Sequence, residues 1–164
     1  MAQPHVRLVP MTAEQFRAFL EADIPRYAAE NVAAGYWPEE GALQRAQESF
    51  DRFLPQGVDT PDHHLFVIRA VEAAMDVGMA WIGSQPGGVE GAGFVYNIYI
   101  EEPFRRKGYA RQTMLQIEQE AKRLGWTILG LHVFGHNAPA RELYASLGYE
   151  VRSMNMTKAI DTHE

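Results

Sequence analysis

The run Phe94-Val95-Tyr96-Asn97-Ile98-Tyr99-Ile100 constrains the fold more than any other stretch of this chain. Aromatic and β-branched residues at this density suit a pleated surface covered on both sides, which places the strand at the centre of a sheet. The period then changes. Ala110, Met114, Ile117, Ala121 and Leu124 share one helical face, and Gly125 stops the helix. Between strand and helix lies only the short segment Glu101-Glu102-Pro103-Phe104-Arg105-Arg106-Lys107-Gly108. A covered strand feeding directly into an amphipathic helix calls for a mixed α/β domain.

The rest of the chain is consistent with one such domain. His5 to Val9 alternates weakly and predicts a first strand, ended by Pro10. Thr12 and Gln15 have the spacing of a capping box, and Phe16, Phe19, Leu20 and Tyr27 follow at helical spacing. Pro25 predicts a break near Asp23 to Pro25, because proline lacks the N–H and its ring clashes with the preceding turn. Pro38 predicts the first position of a second helix, with Glu39 and Glu40 favouring its positive end and Leu43, Gln47, Phe50 and Leu54 on one face. Strands are expected at Leu65 to Ala70, around Val77, Met79 and Trp81, at Trp126 to Val133 and at Tyr149 to Thr157, with a helix over Asn137 to Leu147. The expected order is strand, two helices, three strands, helix, strand, helix, strand. Its 164 residues suit a single core, so residues 1–158 are read as one domain and 159–164 as a flexible tail.

Several function classes are disfavoured. Lys and Arg number 15 against 21 Asp and Glu, a net charge of −6, whereas a protein that grips nucleic acid normally shows a basic excess. The absence of Cys removes disulfides, Cys-ligated zinc and a thiol nucleophile together. The first residues lack the apolar run of a signal peptide, and no stretch approaches the roughly 20 apolar residues of a membrane span, so the expectation is a cytoplasmic protein away from membranes. No metal site is expected: on a strand His63 and His64 face opposite ways, and His132 and His136 belong to a strand and a loop.

The basic segment before the helix carries the chemistry. Amides in the first turn of a helix have no intrahelical partner and point outward with the positive end of the helix dipole. Gly108 lets a ligand approach the backbone, and Arg105, Arg106 and Lys107 add three positive charges. The physical expectation is a phosphate or pyrophosphate site, and the plainer alternative is a solvated basic turn capping a strand. The P-loop spacing is absent, as is the multi-glycine dinucleotide fingerprint.

Arg105-Arg106-Lys107-Gly108-Tyr109-Ala110 resembles the R/Q-x-x-G-x-G/A motif of the GCN5-related N-acetyltransferases, the GNAT superfamily. Leu131 to Asn137, followed by Ala140, Leu143-Tyr144 and Leu147-Gly148-Tyr149, is similar to the last block of that family. The resemblance spans about Leu65 to Thr157. It implies a mostly antiparallel central sheet flanked by helices, with two central strands splayed apart, and acetyl-coenzyme A (acetyl-CoA) as cosubstrate. It implies that Arg105, Arg106, Lys107, Gly108, Tyr109 and Ala110 hold the pyrophosphate and that Asn97, Ile98, Tyr99 and Ile100 line the thioester end. It further implies a coenzyme contact from Asn137, which by residue type is also a good helix N-cap, and a general-acid role for Tyr144, whose plainer role is a packed core tyrosine.

The implied reaction moves an acetyl group directly to a primary amine of a small molecule or peptide, with a strand amide near Ile100 stabilising the carbonyl oxygen. Candidates for the base are Glu101, His132, His136 and Glu72, and Glu101 is nearest the reaction centre in the family layout. Tyr27, Tyr36 and Trp37, with Asp23, Glu30, Glu39 and Glu40 nearby, are candidates for the acceptor pocket. A homodimer is also expected by resemblance. The alternative is a noncatalytic acyl-CoA binding or sensing module on the same fold.

Overall fold

The computed structural model describes residues 2–161. A strand β1 (Val6–Pro10) leads into helices α1 (Ala13–Ala33) and α2 (Ala42–Phe53). Three strands follow, β2 (His63–Ala70), β3 (Met75–Ser84) and β4 (Ala92–Ile100). Helix α3 (Tyr109–Arg123), strand β5 (Ile128–Leu131) and helix α4 (Ala138–Ser146) complete the order. The five strands lie in sequence order, antiparallel throughout except that β5 runs parallel to β4. The mixed, mostly antiparallel sheet is the expected architecture.

Alternation along the strands feeds two cores. From β2, Leu65 and Val67 pack under α1 and α2 with Phe16, Phe19 and Phe50, while Phe66 and Ile68 face α3 with Met114 and Ile117. Both faces of the central strands are therefore covered, which is why their sequence reads as apolar without strict alternation.

Three expectations fail, each for a physical reason. Helix α1 runs through Pro25 without a break: the ring lies on the exposed side, and Phe19, Ile24 and Ala28 continue the buried face beneath it. Packing of that face outweighs the roughly 3 kcal/mol that an interior proline costs. Helix α2 starts at Ala42 instead of Pro38, because Gly41 takes a left-handed conformation (φ 74°) that a helix start at Pro38 could not contain. The strand expected at Tyr149 to Thr157 does not form; 150–161 carry no secondary structure and are wholly exposed. A strand needs a neighbouring ladder, and this segment pairs with no element of the described chain. Of the expected tail, 162–164 lie outside the described residues.

Two irregularities of β4 shape its contacts with α1 and β5. Trp81 pairs with Asn97 and Ile82 with Val95, so Tyr96 is the extra residue of a bulge. The bulge puts Tyr96 and Asn97 on one face: Tyr96 stacks on Trp81 with centroids 4.7 Å apart, and Asn97 reaches α1. Pairing with β5 ends at Val95–Leu131, yet β4 continues to Ile100. Beyond Val95 the two strands enclose an opening.

Candidate active site

That opening is part of a cavity of about 1390 Å³, floored by β4 and walled by α1, the start of α3, the loop after β5 and α4. One end is built from backbone. Among the described residues the six consecutive amides of Arg106 to Arg111 have no acceptor. Four belong to a helix start, where the ladder leaves N–H groups unpaired, and two to the turn before it. Gly108 sits at φ 86°, a conformation that suits glycine. Arg106, Gly108, Tyr109 and Ala110 line the cavity. Arg105 also lines it, but its Nε donates to the carbonyl of Ile100 at 2.8 Å, bracing the end of β4. Lys107 is turned away; its Nζ donates to the carbonyl of Pro103 at 3.1 Å and it does not line the cavity.

The middle is the free edge of β4. The amide of Glu101 donates to Val77, so in an antiparallel ladder Tyr99 and Asn97 also face β3. The peptide groups of Ile98 and Ile100 therefore point into the opening. Their side chains pack on the α3 face, whereas the ring of Tyr99 lies on the α1 face under the guanidinium of Arg26, 3.4 Å from its centroid.

From the far wall, Asn137 caps α4 by accepting from the amide of Ala140 at 3.3 Å, and it lines the cavity. Its side-chain NH₂ has no acceptor among the described residues, so cap and ligand contact are compatible. Tyr144 lines the cavity from the same helix, its ring 6.0 Å from that of Tyr149. Its hydroxyl has no partner among the described residues, and burial raises its pKa, which keeps it protonated.

The other end is acidic. The carboxylate of Asp23 is 2% exposed, accepts from Arg26 at 2.6 Å and from the side-chain NH₂ of Asn97, and lines the cavity. Burial pushes its pKa up to about 6, against the opposing pull of Arg26 and Asn97. Glu30, about two helical turns further on, also lines the cavity, and burial raises its pKa too. Tyr27 and Tyr36 line this end, and Tyr36 meets Phe134 of the loop after β5 at 6.2 Å. Trp37 does not line it; its ring packs edge-on against Tyr27 at 5.5 Å. Glu101 is exposed and outside the lining; the carboxylates inside are Asp23, Glu30 and Glu142. Glu72 lies elsewhere, bonded to His5 at the far edge of the sheet. His132 lines the cavity, with its pKa lowered by burial. Among the described residues no group of three or more His, Asp or Glu side chains is arranged to hold a metal ion.

Sequence reasoning placed Asp23 in an acidic neighbourhood and went no further. The available signal was its position between Phe19 and Ile24 on the buried face of α1, with Arg26 at i+3. Its second partner, Asn97, is 74 residues away and is presented by the bulge.

A sheet that opens beside its central strand, with bare amides at the mouth of the opening, is the architecture of a coenzyme A-dependent acyltransferase. Residues 26–149 match the acetyltransferase (GNAT) family, and the chain belongs to that family. The Bacillus subtilis protein YycN, described as an uncharacterized N-acetyltransferase, is 37% identical over 155 residues, covering 94% of this chain and 99% of YycN. YdgE of the same organism, described in the same words, is 30% identical over 153 residues, covering 93% and 97%. The crystal structure of YycN superposes with a TM-score of 0.88 over 94% of this chain and 98% of that one. The activity is acyl transfer of the GNAT type.

Proposed function

We propose that this enzyme moves the acetyl group of acetyl-CoA to a primary amine of a small molecule or peptide, and that the cavity between α3 and α1 holds both partners. The observation that carries the reading is the polarity of one continuous cavity, with unpaired amides at one end and, at the other, the buried carboxylate of Asp23 with the half-buried Glu30.

The residues suit the coenzyme. Six amides without acceptors, a glycine at their centre and Arg106 beside them form an anion cradle of pyrophosphate type. Bound there, acetyl-CoA supplies an activated thioester. The outward peptide groups of Ile98 and Ile100 offer an amide-containing arm the edge of a sheet. The N–H of one of them stabilises negative charge on the thioester oxygen.

Asp23 and Glu30 attract an ammonium to the opposite end, and Tyr27 and Tyr36 give its carbon skeleton aromatic walls. Asp23, ionised above about pH 6, accepts the proton that the amine must lose before it can attack. Tyr144, held protonated by burial, donates to the departing sulfur.

The test is thiol release from acetyl-CoA across a panel of primary amines. The protein contains no Cys, so every thiol detected belongs to coenzyme A. Saturable, amine-dependent release is expected, and Asp23→Asn should lower kcat/KM for the amine by 10-fold or more while leaving coenzyme affinity within about 2-fold. Release independent of every amine offered would reject the acceptor assignment.

A further inference from the structure

The ring of Tyr99 is shared by two guanidinium groups. Arg26, from α1, lies 3.4 Å from its centroid, and Arg105, from the segment after β4, lies 5.0 Å from it. Both line the cavity. Two like charges at one ring repel each other unless an anion comes between them. The fold supplies part of that anion. Asp23 accepts from Nη1 of Arg26, and the carbonyl of Ile100 accepts from Nε of Arg105. Among the described residues no acceptor meets the Nε and Nη2 edge of Arg26 or the two Nη groups of Arg105, and no carboxylate pairs with Arg105. Each guanidinium thus keeps a free fork of N–H donors, the geometry that grips a carboxylate through two parallel hydrogen bonds. The side chain of Arg26 is only 27% exposed, so its charge is poorly screened by water.

We propose that the acceptor is a free amino acid, with its carboxylate held by the open forks of Arg26 and Arg105 and its amine at Asp23. The inference rests on the reading of this cavity as the place where acetyl passes to a primary amine. Asp23 and Arg26 are in contact, so the places for an ammonium and for an anion adjoin. An amino acid carries its two charges one carbon apart and matches that spacing. A polyamine does not, because it brings a second positive charge towards two guanidinium groups. Phe50, Phe53, Trp81 and Tyr96 line the cavity and belong to the same packed face as Tyr99, which suits an apolar side chain. The amine nitrogen bonds to the acetyl carbon as the carbon–sulfur bond breaks. Of the two protons that the ammonium loses, one replaces the proton that Tyr144 gives to sulfur and the other leaves through Asp23. The product is an N-acetyl amino acid, which keeps its carboxylate.

The test compares each apolar amino acid with its C-terminal amide as acceptor, by thiol release from acetyl-CoA, beside simple primary amines. The amide keeps the side chain and the primary amine and loses the anion. It is also the less basic amine and is more often free to attack, so a preference for the acid comes from the site. For the best pair, kcat/KM for the acid should exceed that for the amide by about 100-fold. In Arg26→Gln that ratio should fall to within about 3-fold of unity, chiefly through a higher KM for the acid. Were Arg26 there only to orient Asp23, the variant would slow acid and amide alike, and an unchanged ratio overturns the carboxylate site. Should the variant fail to fold, the ratio for the unaltered enzyme decides alone. Amides or simple amines used as well as the acids, or better, overturn the proposal and leave acetyl transfer to amines standing. No release with any amine, carboxylated or not, rejects the reading on which it rests.

Discussion

Asp23 gives the molecule a pH dependence that can be worked out from one side chain. Its pKa is about 6 in the folded protein against an ordinary 3.8, so the folded state holds this proton at higher pH than the unfolded chain does. Between those values the native state binds more protons, and stability falls as pH rises. The gap corresponds to roughly 3 kcal/mol from this group, nearly all lost by pH 7. Asp23→Asn cannot titrate, so its Tm relative to the parent should climb by on the order of 5 °C between pH 4 and pH 7. A constant Tm difference across that range would show that Asp23 is not perturbed as its burial implies. Tyr144→Phe removes a hydroxyl that bonds to no other group among the described residues. Turnover should fall about 100-fold with coenzyme affinity near normal, and equal turnover by the two proteins would reject Tyr144 as the acid. Single residues were the least legible part of the sequence. Trp37, in a turn bounded by Gly and Pro, looked free to line a pocket, but its ring closes on Tyr27. Glu101 lies next in sequence to the strand that floors the cavity and still points outside it. Sequence neighbours fix backbone position, whereas the direction of a side chain depends on bulges and partners far along the chain.

At the scale of elements, the start of α3 and the β3–β4 ladder hold the opening in shape. Gly108→Val places a β-branched residue at φ 86°, where L side chains are strained, and crowds the row of free amides. Acetyl-CoA affinity by calorimetry should fall at least 10-fold; affinity within 2-fold of the parent would move the pyrophosphate site elsewhere. Gly78 is constrained differently. A Cβ there would lie 2.0 Å from the carbonyl oxygen of Tyr99, a backbone atom in the strand that floors the cavity. Gly78→Ala must push β3 and β4 apart, and should cost about 1–3 kcal/mol in a denaturant titration; an unchanged midpoint would contradict the packing described. Strand β4 and helix α3 were legible because their patterns are local, a dense β-forming run and then a clean helical face. The continuity of α1 through Pro25 was not, because the packing that compensates for the proline comes from the sheet and α2. The start of α2 was hidden by two competing signals three residues apart, Pro38 and Gly41, and the glycine's left-handed backbone prevailed.

For the whole molecule, the opening between β4 and β5 is set by where pairing stops. No residue type announces that point; the family motifs implied a splay, and the register locates it at Val95 and Leu131. The opening also gathers an uneven charge. In a chain of net −6, Arg105, Arg106 and Lys107 lie within three positions of one another beside the free amides, so the long-range field repels an anion that the local site attracts. A ligand held by such a site must draw its binding free energy from contacts of the native fold, and the unfolded chain has none to offer. Acetyl-CoA should therefore raise Tm by mass action. At 100 times its Kd the stabilisation is about 2.7 kcal/mol, a rise of roughly 5–10 °C for a chain of this length. In Gly108→Val, a 100-fold loss of affinity would leave about 0.4 kcal/mol at the same concentration, a rise of about 1 °C. Added salt should shrink the rise in the parent only in part, because it screens the exposed cations strongly and the amides at the helix start much less. A rise abolished by moderate salt would mean that the cations alone bind the coenzyme, and a Tm indifferent to acetyl-CoA would mean that the amide cradle does not hold it.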